Sequence, residues 1–380
     1  MVLGVALTVA ALLSFVSVSY VSRLALASGA LAKPGRRHIH NGLVPKMGGL
    51  SIALGFFPAV FLAVPPERQT AAVLVSSFLV LAFGIYDDVR GLTWKGKLAV
   101  SGIATSVLIF YGRLEVRDLG NILGFGNIKL GVLSAPFTYF ALFGVMNAAN
   151  LIDGADGLLC GISLMAFLPL AILGYESGNT GAALLSAACL AAVAGFIPFN
   201  YPKARIFLGD TGSLFIGFLI GAVSLMLIRG GMVRPVVPPL VLLLPIFDTL
   251  RVMGLRILRK KHPFRPDKRH FHHLLIRSGM RERNAVRLVW VVSVFFAVFA
   301  IFSKGLSSEV IFISELSLMS IMGIAVMNLR SVKTVTAKGR TRTVNARAVY
   351  ARGAKVVRYG GRRIHAEETD AGGGRTTRRV

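Results

Sequence analysis

The chain has 380 residues, of which 54% are hydrophobic and 16% charged, and its mean hydropathy is +0.67. Soluble proteins of this length are less apolar, so the composition excludes an ordinary soluble enzyme and indicates an integral membrane protein. The net charge of +26 would by itself suggest a nucleic-acid partner, so the position of the basic residues must decide its meaning. Cys160 and Cys189 lie in or beside apolar runs and predict neither a disulfide nor a metal site.

The predicted elements are apolar runs of about the length that crosses a membrane, roughly 20 residues. The eleven runs are 2–21, 48–65, 69–86, 98–111, 133–150, 158–176, 180–198, 211–229, 236–254, 287–303 and 309–328. They predict an all-α, polytopic integral membrane protein with about 11 transmembrane helices. Residues 1–329 form the multi-pass domain, and residues 330–380, rich in Gly, Thr and Arg, are predicted to be a flexible basic tail.

The basic residues are divided unequally between the two sides of the membrane. If the eleven runs alternate, 36 of the 43 lysine and arginine residues fall on the side that carries the C-terminal tail. Because basic loops stay in the cytoplasm, the N-terminus is predicted outside and the C-terminus inside. Contact with anionic lipid then accounts for the net charge, and no nucleic-acid partner is predicted.

Five polar segments fall on this predicted cytoplasmic side: 38–49, 87–88, 147–161, 200–213 and 262–273. Ionisable groups at bilayer depth are costly and are usually retained for a function. The five segments are therefore predicted to form one site at the membrane surface.

Two adjacent acids, Asp87 and Asp88, directly follow the third apolar run. Asp87 and Asp88 could hold Mg²⁺ or accept a proton, and Lys97 could bind a phosphate. The alternative is an acid pair at a helix end facing water, with the lysine as an ordinary cytoplasmic charge.

The segment 147–161 offers two amides, Asn147 and Asn150, and two acids, Asp153 and Asp156. The acids share one face if the segment is helical, although a helix cap would also explain them. Asp210, at the start of the eighth run, either caps that helix or coordinates a hard cation, and the two roles are compatible.

The last polar segment is a basic loop. It contains three histidines among cations: His270, His272 and His273. These histidines could either form a zinc cluster or bind an anion. The cations are Arg265, Lys268 and Arg269. No cysteine is near, and so many positive charges favour binding of a polyanion such as a pyrophosphate.

Acids for a metal, cations for phosphates and a membrane face predict phosphoryl transfer between a nucleotide compound and a lipid phosphate. A transporter or flippase of an anionic or lipid-linked substrate is the alternative. It would be expected to carry charges near mid-membrane and often internal repeats. A scaffold that recruits nucleic acid through the tail would leave the acids without a role.

The motifs also resemble those of the polyprenyl-phosphate N-acetylhexosamine-1-phosphate transferases. They are P-K-M-G-G at 45–49, Y-D-D at 86–88, N-A-A-N-L-I-D-G-A-D-G-L at 147–158, F-L-G-D-T-G-S at 207–213 and R-P-D-K-R-H-F-H-H-L-L at 265–275. The resemblance covers about residues 1–329. The last motif is similar to the bacterial undecaprenyl-phosphate N-acetylglucosamine-1-phosphate transferase branch. Muramoyl-pentapeptide translocase and the dolichyl-phosphate enzyme are related to that branch.

The resemblance implies an enzyme of the bacterial cytoplasmic (inner) membrane with its active site on the cytoplasmic face. It implies transfer of N-acetylhexosamine 1-phosphate from a UDP-sugar to undecaprenyl phosphate, which releases UMP and begins a lipid-linked envelope glycan. Mg²⁺ is the implied cofactor, with Mn²⁺ as a substitute. UDP-GlcNAc is the expected donor, GalNAc or a modified hexosamine stays open, and a homodimer is left open.

The same resemblance implies residue roles. Asn150 and Asp210 would hold the metal, and Asp87, with Asp88 close by, would accept a proton from the lipid phosphate or orient it. An older covalent two-step scheme is left open. The remaining residues would bind substrate: Lys97, Asn147, Asp153, Asp156, Arg269, His270, His272 and His273.

Overall fold

A computed structural model describes residues 2–32, 44–260 and 269–330, with the backbone of four further strands between 332 and 365. His38 and His40, and the cations Arg265 and Lys268 of the basic loop, lie outside the described residues.

The described chain is mostly helical. Its helices are α1 (Val2–Ser28), α2 (Gly48–Ala63), α3 (Arg68–Arg90), α4 (Trp94–Ser106), α5 (Ser134–Ile152), α6 (Leu158–Glu176), α7 (Thr180–Asn200), α8 (Gly209–Arg229), α9 (Leu243–Leu258), α10 (Phe271–Arg277), α11 (Glu282–Ser303) and α12 (Ser308–Arg330). A π-helical segment, Val107–Tyr111, follows α4, and 3-10 turns at Gly131–Leu133 and Pro238–Leu242 precede α5 and α9. The strands pair antiparallel as β1 (Leu31–Ala32) with β2 (Val44–Pro45), β3 (Val332–Ala337) with β4 (Arg340–Asn345) and β5 (Val356–Tyr359) with β6 (Arg362–His365).

Each of the eleven predicted runs contains a helix, and eight of the described helices are long and apolar enough to cross a membrane. These eight are α1, α3, α5, α6, α7, α8, α11 and α12. The polytopic, mainly helical membrane protein is thus confirmed, while the count of eleven and the orientation stay predictions. The run 236–254 is interrupted because Pro238 and Pro239 lack the N–H groups that a continuous α-helix needs, so α9 begins only at Leu243.

The chain divides into two units, 1–266 with 286–319 and 267–285 with 320–380. The second contains α10 and the two C-terminal hairpins, whose strands the sequence analysis did not predict. The predicted domain boundary at 329/330 stays a prediction.

Within the first unit, α8 is the central helix. It is apolar around its whole circumference and almost entirely buried, as expected for a helix surrounded by others. It packs against α2, α3 and α5. At Gly84 of α3 the backbones come so close that a Cβ would lie 2.6 Å from the Cα of Thr211. The close approach fixes the end of α3 beside the start of α8.

Candidate active site

Four helix ends bring polar side chains together in the first unit. Asp87 and Asp88 lie in the last turn of α3, and Asp210 lies in the first turn of α8. Asn150 is in the last turn of α5, and Lys97 is in the first turn of α4. Three of the five polar segments that were predicted to form one site, 87–88, 147–161 and 200–213, therefore contribute side chains that meet in this unit.

The Lys97 ammonium lies between two carboxylates. Its Nζ is 2.6 Å from Oδ2 of Asp87 and also forms an ion pair with Oδ2 of Asp210. The Asp87 side chain is only 4% exposed, whereas those of Lys97 and Asp210 are 26% and 29% exposed. The lysine and Asp210 are thus accessible to a ligand, and Asp87 lies behind them.

Asp88 holds the beginning of α8. The Asp210 N–H donates to its Oδ1 at 3.0 Å, and the N–H and Oγ1 of Thr211 donate to its Oδ2 at 2.9 and 2.6 Å. Gly209 has φ +69°, and a Cβ there would collide with the Asp88 carboxylate. A carboxylate at a helix N-terminus satisfies otherwise unpaired N–H groups and opposes the helix dipole. Asp88 therefore positions the residue that follows Gly209, which is Asp210.

Asn150 orients the Asp210 carboxylate from the opposite side. Its Nδ2 donates to Oδ1 of Asp210 at 2.5 Å and to Oγ of Ser213 at 2.8 Å. Ser213 was absent from the predicted site residues, although it belongs to the F-L-G-D-T-G-S motif. Carboxylate, amide and hydroxyl oxygens are the donors that Mg²⁺ prefers, so the chemistry of this donor set fits the expected metal.

A metal at this point would need further ligands. In the part of the chain that the structure describes, no three His, Cys, Asp or Glu side chains gather as a ligand cluster. Mg²⁺ commonly binds one or two carboxylates and completes its coordination with water and substrate phosphates, so the donor set remains compatible with it.

The segment after α5 is held in place by hydrogen bonds to the chain that precedes α8. Asp156 is buried, and its Oδ2 accepts from the Ala204 N–H at 2.9 Å. Asn200, another residue missing from the predicted list, accepts from the Gly157 N–H at 3.0 Å and donates to the Ile206 carbonyl at 2.9 Å. These bonds fasten the chain that leads into α8.

Asp153 is the C-cap of α5 and is partly buried. Burial, and then the negative charges of Asp210, Asp88 and Asp156, raises its pKa to about 8. Asn147 instead donates to the Phe143 carbonyl of its own helix at 2.9 Å.

The P-K-M-G-G segment also supports this site. The Gly48 and Gly49 N–H groups donate to the carbonyls of Phe207 and Leu208 at 2.9 and 3.0 Å, and the Phe207 N–H donates to the Pro45 carbonyl at 2.9 Å. The segment therefore fixes the backbone immediately before Asp210.

The histidines of the basic loop belong to the second unit. His270 precedes α10, and its ring stacks at 6.3 Å on that of His272, which lies 4.1 Å from the ring of His273. His270 and His272 are buried. The prediction that these rings and Arg269 join the acids stays a prediction.

A buried charged pair in α9 was not predicted from the sequence. Asp248 of α9 is fully buried, and its Oδ1 is 2.5 Å from Nη2 of Arg251. Both residues lie inside an apolar run that was counted as a span. The signal was present, since an acid inside such a run is itself a functional indication.

Several known proteins are similar in sequence to this chain. Residues 70–228, which include Asp87 to Asp210, match the family described as Glycosyl transferase family 4. The chain is 33% identical over 316 residues to a probable undecaprenyl-phosphate N-acetylglucosaminyl 1-phosphate transferase of Bacillus subtilis, covering 81% of this chain and 88% of the relative. It is 32% identical over 351 residues to a decaprenyl-phosphate N-acetylglucosaminephosphotransferase of Mycolicibacterium smegmatis, 84% of each. An undecaprenyl-phosphate alpha-N-acetylglucosaminyl 1-phosphate transferase of Escherichia coli K12 is 29% identical over 287 residues, 73% and 77% of the two chains.

Proposed function

Because the chain belongs to glycosyl transferase family 4, we propose that it performs the reaction that its relatives' names state, transfer of N-acetylglucosamine 1-phosphate to a polyprenyl phosphate. It is a phosphotransferase embedded in a membrane by many helices. The transporter alternative gains no support from these relatives, and the acids of the candidate active site, Asp87, Asp88 and Asp210, lie at helix ends. The acceptor is undecaprenyl phosphate, the donor is UDP-GlcNAc, and the product begins a lipid-linked envelope glycan.

The observation that carries this proposal is the pairing of Lys97 with both Asp87 and Asp210. Transfer between two phosphate compounds brings several negative charges together, and positioning with charge neutralisation supplies most of the catalysis. A reachable ammonium beside a reachable carboxylate provides one group for a phosphate and one for a cation that accompanies the nucleotide.

In the proposed reaction an oxygen of the lipid phosphate attacks the sugar-linked phosphorus of the donor. A new P–O bond forms there, the bond to the bridging oxygen of UMP breaks, and UMP leaves with that oxygen and its electron pair. Lys97 holds the lipid phosphate, and Asp87 orients it or accepts its proton. Asp88 acts through Asp210, which it positions.

Asp210 and Asn150 are the residues that would hold Mg²⁺, or Mn²⁺ in its place. When bound, the ion neutralises charge on the transferring phosphate groups. Asp153 lies on the nucleotide side of the site, and Asp156 fixes the loop there through Ala204. Arg269 and the histidines at 270, 272 and 273 contribute donors for pyrophosphate or sugar.

We place the reaction at the cytoplasmic face of the bacterial inner membrane. The support is the distribution of basic residues, which favours the cytoplasm for the loops between α3 and α4 and between α7 and α8. A UDP-sugar is a cytoplasmic metabolite, so its site has to face that compartment.

The test is an assay of the purified protein with undecaprenyl phosphate, Mg²⁺ and a panel of UDP-sugars, following UMP release. UMP is expected with UDP-GlcNAc and only when the lipid is present. Release without lipid would indicate a hydrolase, and no UMP from any UDP-N-acetylhexosamine would contradict the proposal. Chelation with EDTA followed by readdition of Mg²⁺ tests the metal in the same assay.

A further inference from the structure

A pair of cavities lies at the end of α8 that is far from the candidate active site. Asp210 is in its first turn and Arg229 is its last residue, so at a rise of 1.5 Å per residue the two ends are about 28 Å apart. A polar cleft of about 550 Å³ is lined by Arg229, Arg234 and Glu309 among others, and an apolar cavity of about 310 Å³ adjoins it. Ile228 and Pro235 line both, so the polar cleft and the apolar cavity lie side by side.

The cleft carries charges of both signs in equal number. Its cations are Arg117, Arg229 and Arg234, and its acids are Glu115, Asp118 and Glu309. Glu115, Arg117 and Asp118 belong to one hairpin, in which the Leu119 N–H donates to the Ile128 carbonyl at 3.0 Å. A ligand that carries both a phosphate and an ammonium group complements such a surface better than a simple anion or cation.

One of the cations has no partner among the residues that the structure describes. Arg234 donates through Nη1 to the carbonyls of Lys304 (2.8 Å) and Leu306. The exposed Arg229 side chain makes no hydrogen bond or ion pair with any residue that the structure describes. A guanidinium in that position is a strong donor for a phosphate.

The cavity is apolar except for Glu315 and Ser224, and the Ser224 hydroxyl donates to the Ile220 carbonyl of its own helix. Glu315 is 8% exposed, and its Oε1 has no hydrogen-bond partner among the described residues. It lies on α12 six residues after Glu309, about 9 Å deeper along the helix. A buried carboxyl without a partner is costly, and a neutral one has an O–H to donate. Ester carbonyls of a glycerophospholipid lie on the hydrocarbon side of its phosphate, which is the direction from Glu309 to Glu315.

We propose that this site binds one phospholipid with a zwitterionic phosphoethanolamine head. The phosphate contacts Arg229, the ammonium lies among the acids of the cleft, an ester carbonyl accepts from Glu315, and part of one acyl chain fills the cavity. The cavity has the size of a small-ligand site. With the acids of the active site at the other end of α8, the lipid belongs to the opposite leaflet.

The test measures binding of phosphatidylethanolamine to the purified full-length protein in detergent, by native mass spectrometry and by the shift in melting temperature on adding lipid. We expect one lipid per chain. Arg229→Ala should weaken binding about tenfold, the effect of losing a charge-assisted hydrogen bond. Lys129→Ala is the matched control, because Lys129, an exposed cation of the hairpin that contains Arg117, does not line the cleft.

Variants of the cavity separate lipid binding from folding. Ala141→Phe should exclude the acyl chain, since Ala141 lines the cavity. Glu315→Leu should bind lipid more weakly while melting at a higher temperature without it, and Glu315→Gln should keep binding because an amide still donates. Equal binding by all variants, an equal loss in Lys129→Ala, or equally tight retention of phosphatidylglycerol would overturn the proposal. Retention of polyprenyl phosphate in preference to phosphatidylethanolamine would assign the site to the substrate and overturn it as well.

Discussion

At the residue scale, the active site depends on how one cation is shared. Lys97 contacts Asp87 and Asp210, so the three side chains together carry a single net negative charge. Asp87 is almost fully enclosed, and Asp210 is held on its other side by Asn150, whose amide also donates to Ser213. Both carboxylates are therefore positioned before any substrate arrives, which is what electrostatic catalysis requires.

Replacing either carboxylate by its amide should remove a positioned charge while keeping the shape of the site. We expect Asp87→Asn and Asp210→Asn each to lower turnover by at least about 10²-fold, measured as UMP release with saturating substrates. The control is Glu67→Gln, because Glu67 is an exposed acid before the opposite end of α3. Near-normal turnover in both amide variants would show that the roles are assigned wrongly.

Asp153 should make the stability of the protein depend on pH. Its pKa of about 8 in the folded protein exceeds the ordinary value of 3.8, so folding favours the protonated acid. This contribution is complete below pH 3.8 and is lost as the pH rises through about 8. The melting temperature of Asp153→Asn minus that of the wild type, in detergent with EDTA, should therefore increase from pH 5 to pH 8.

The same comparison for Glu67→Gln provides the baseline for general effects of pH. A difference for Asp153→Asn that stays flat over this range would mean that the carboxyl is ionised in the folded protein throughout.

Residue types and motifs were enough to select most of these side chains, but the contacts between them were beyond a single sequence. Asp88 was expected to act in catalysis beside Asp87, yet its hydrogen bonds run to Asp210 and Thr211, more than 120 positions later. Lys97 was expected to bind phosphate, and its pairing with Asp210 again joins distant segments. Only the folded chain brings these groups together.

At the element scale, the positions of most helices followed from hydropathy alone. The run predicted at 158–176 is the helix Leu158–Glu176, since an uninterrupted apolar stretch of this length has one stable form in a membrane. Prediction was weakest where an apolar run also contains prolines and charged residues. The run 236–254 became a 3-10 turn and an amphipathic helix that contains Asp248 and Arg251.

The packing of α3 on α8 should be sensitive to a single methyl group. Gly84→Ala would place a Cβ 2.6 Å from the Cα of Thr211, a backbone atom that cannot move aside. We expect a loss of about 1–3 kcal/mol in the free energy of unfolding, together with lower turnover, because Thr211 adjoins Asp210. Thermal or denaturant unfolding in detergent and the UMP assay measure the two effects.

Gly144→Ala is the matched control within a span. A Cβ at Gly144 of α5 would meet nothing within 4 Å, so stability there should be unchanged or higher. Equal behaviour of the two variants would mean that the close approach of α3 to α8 does not constrain the site.

At the scale of the whole molecule, the predicted orientation can be tested with thiols. Cys160 and Cys189 are free and buried, so they should give little background labelling. Glu67 and Lys203 are exposed and lie on opposite predicted sides. In intact protoplasts a membrane-impermeant maleimide should label Glu67→Cys, and it should reach Lys203→Cys only after permeabilisation. The reverse pattern would invert the orientation and move the active site to the outer face.

The two ends of α8 also differ in how much space surrounds them. Around Asp210 glycines allow helix backbones to touch, whereas near Arg229 the neighbouring helices enclose a cavity of about 310 Å³. Hydrostatic pressure acts on internal voids, and a tightly packed region has low compressibility. Pressure, or a thinner bilayer, should therefore deform the region around Arg229 first and leave the ion pairs of Lys97 in place. The enzyme would then keep its turnover rate while the Arg229 end of α8 adapts to the membrane.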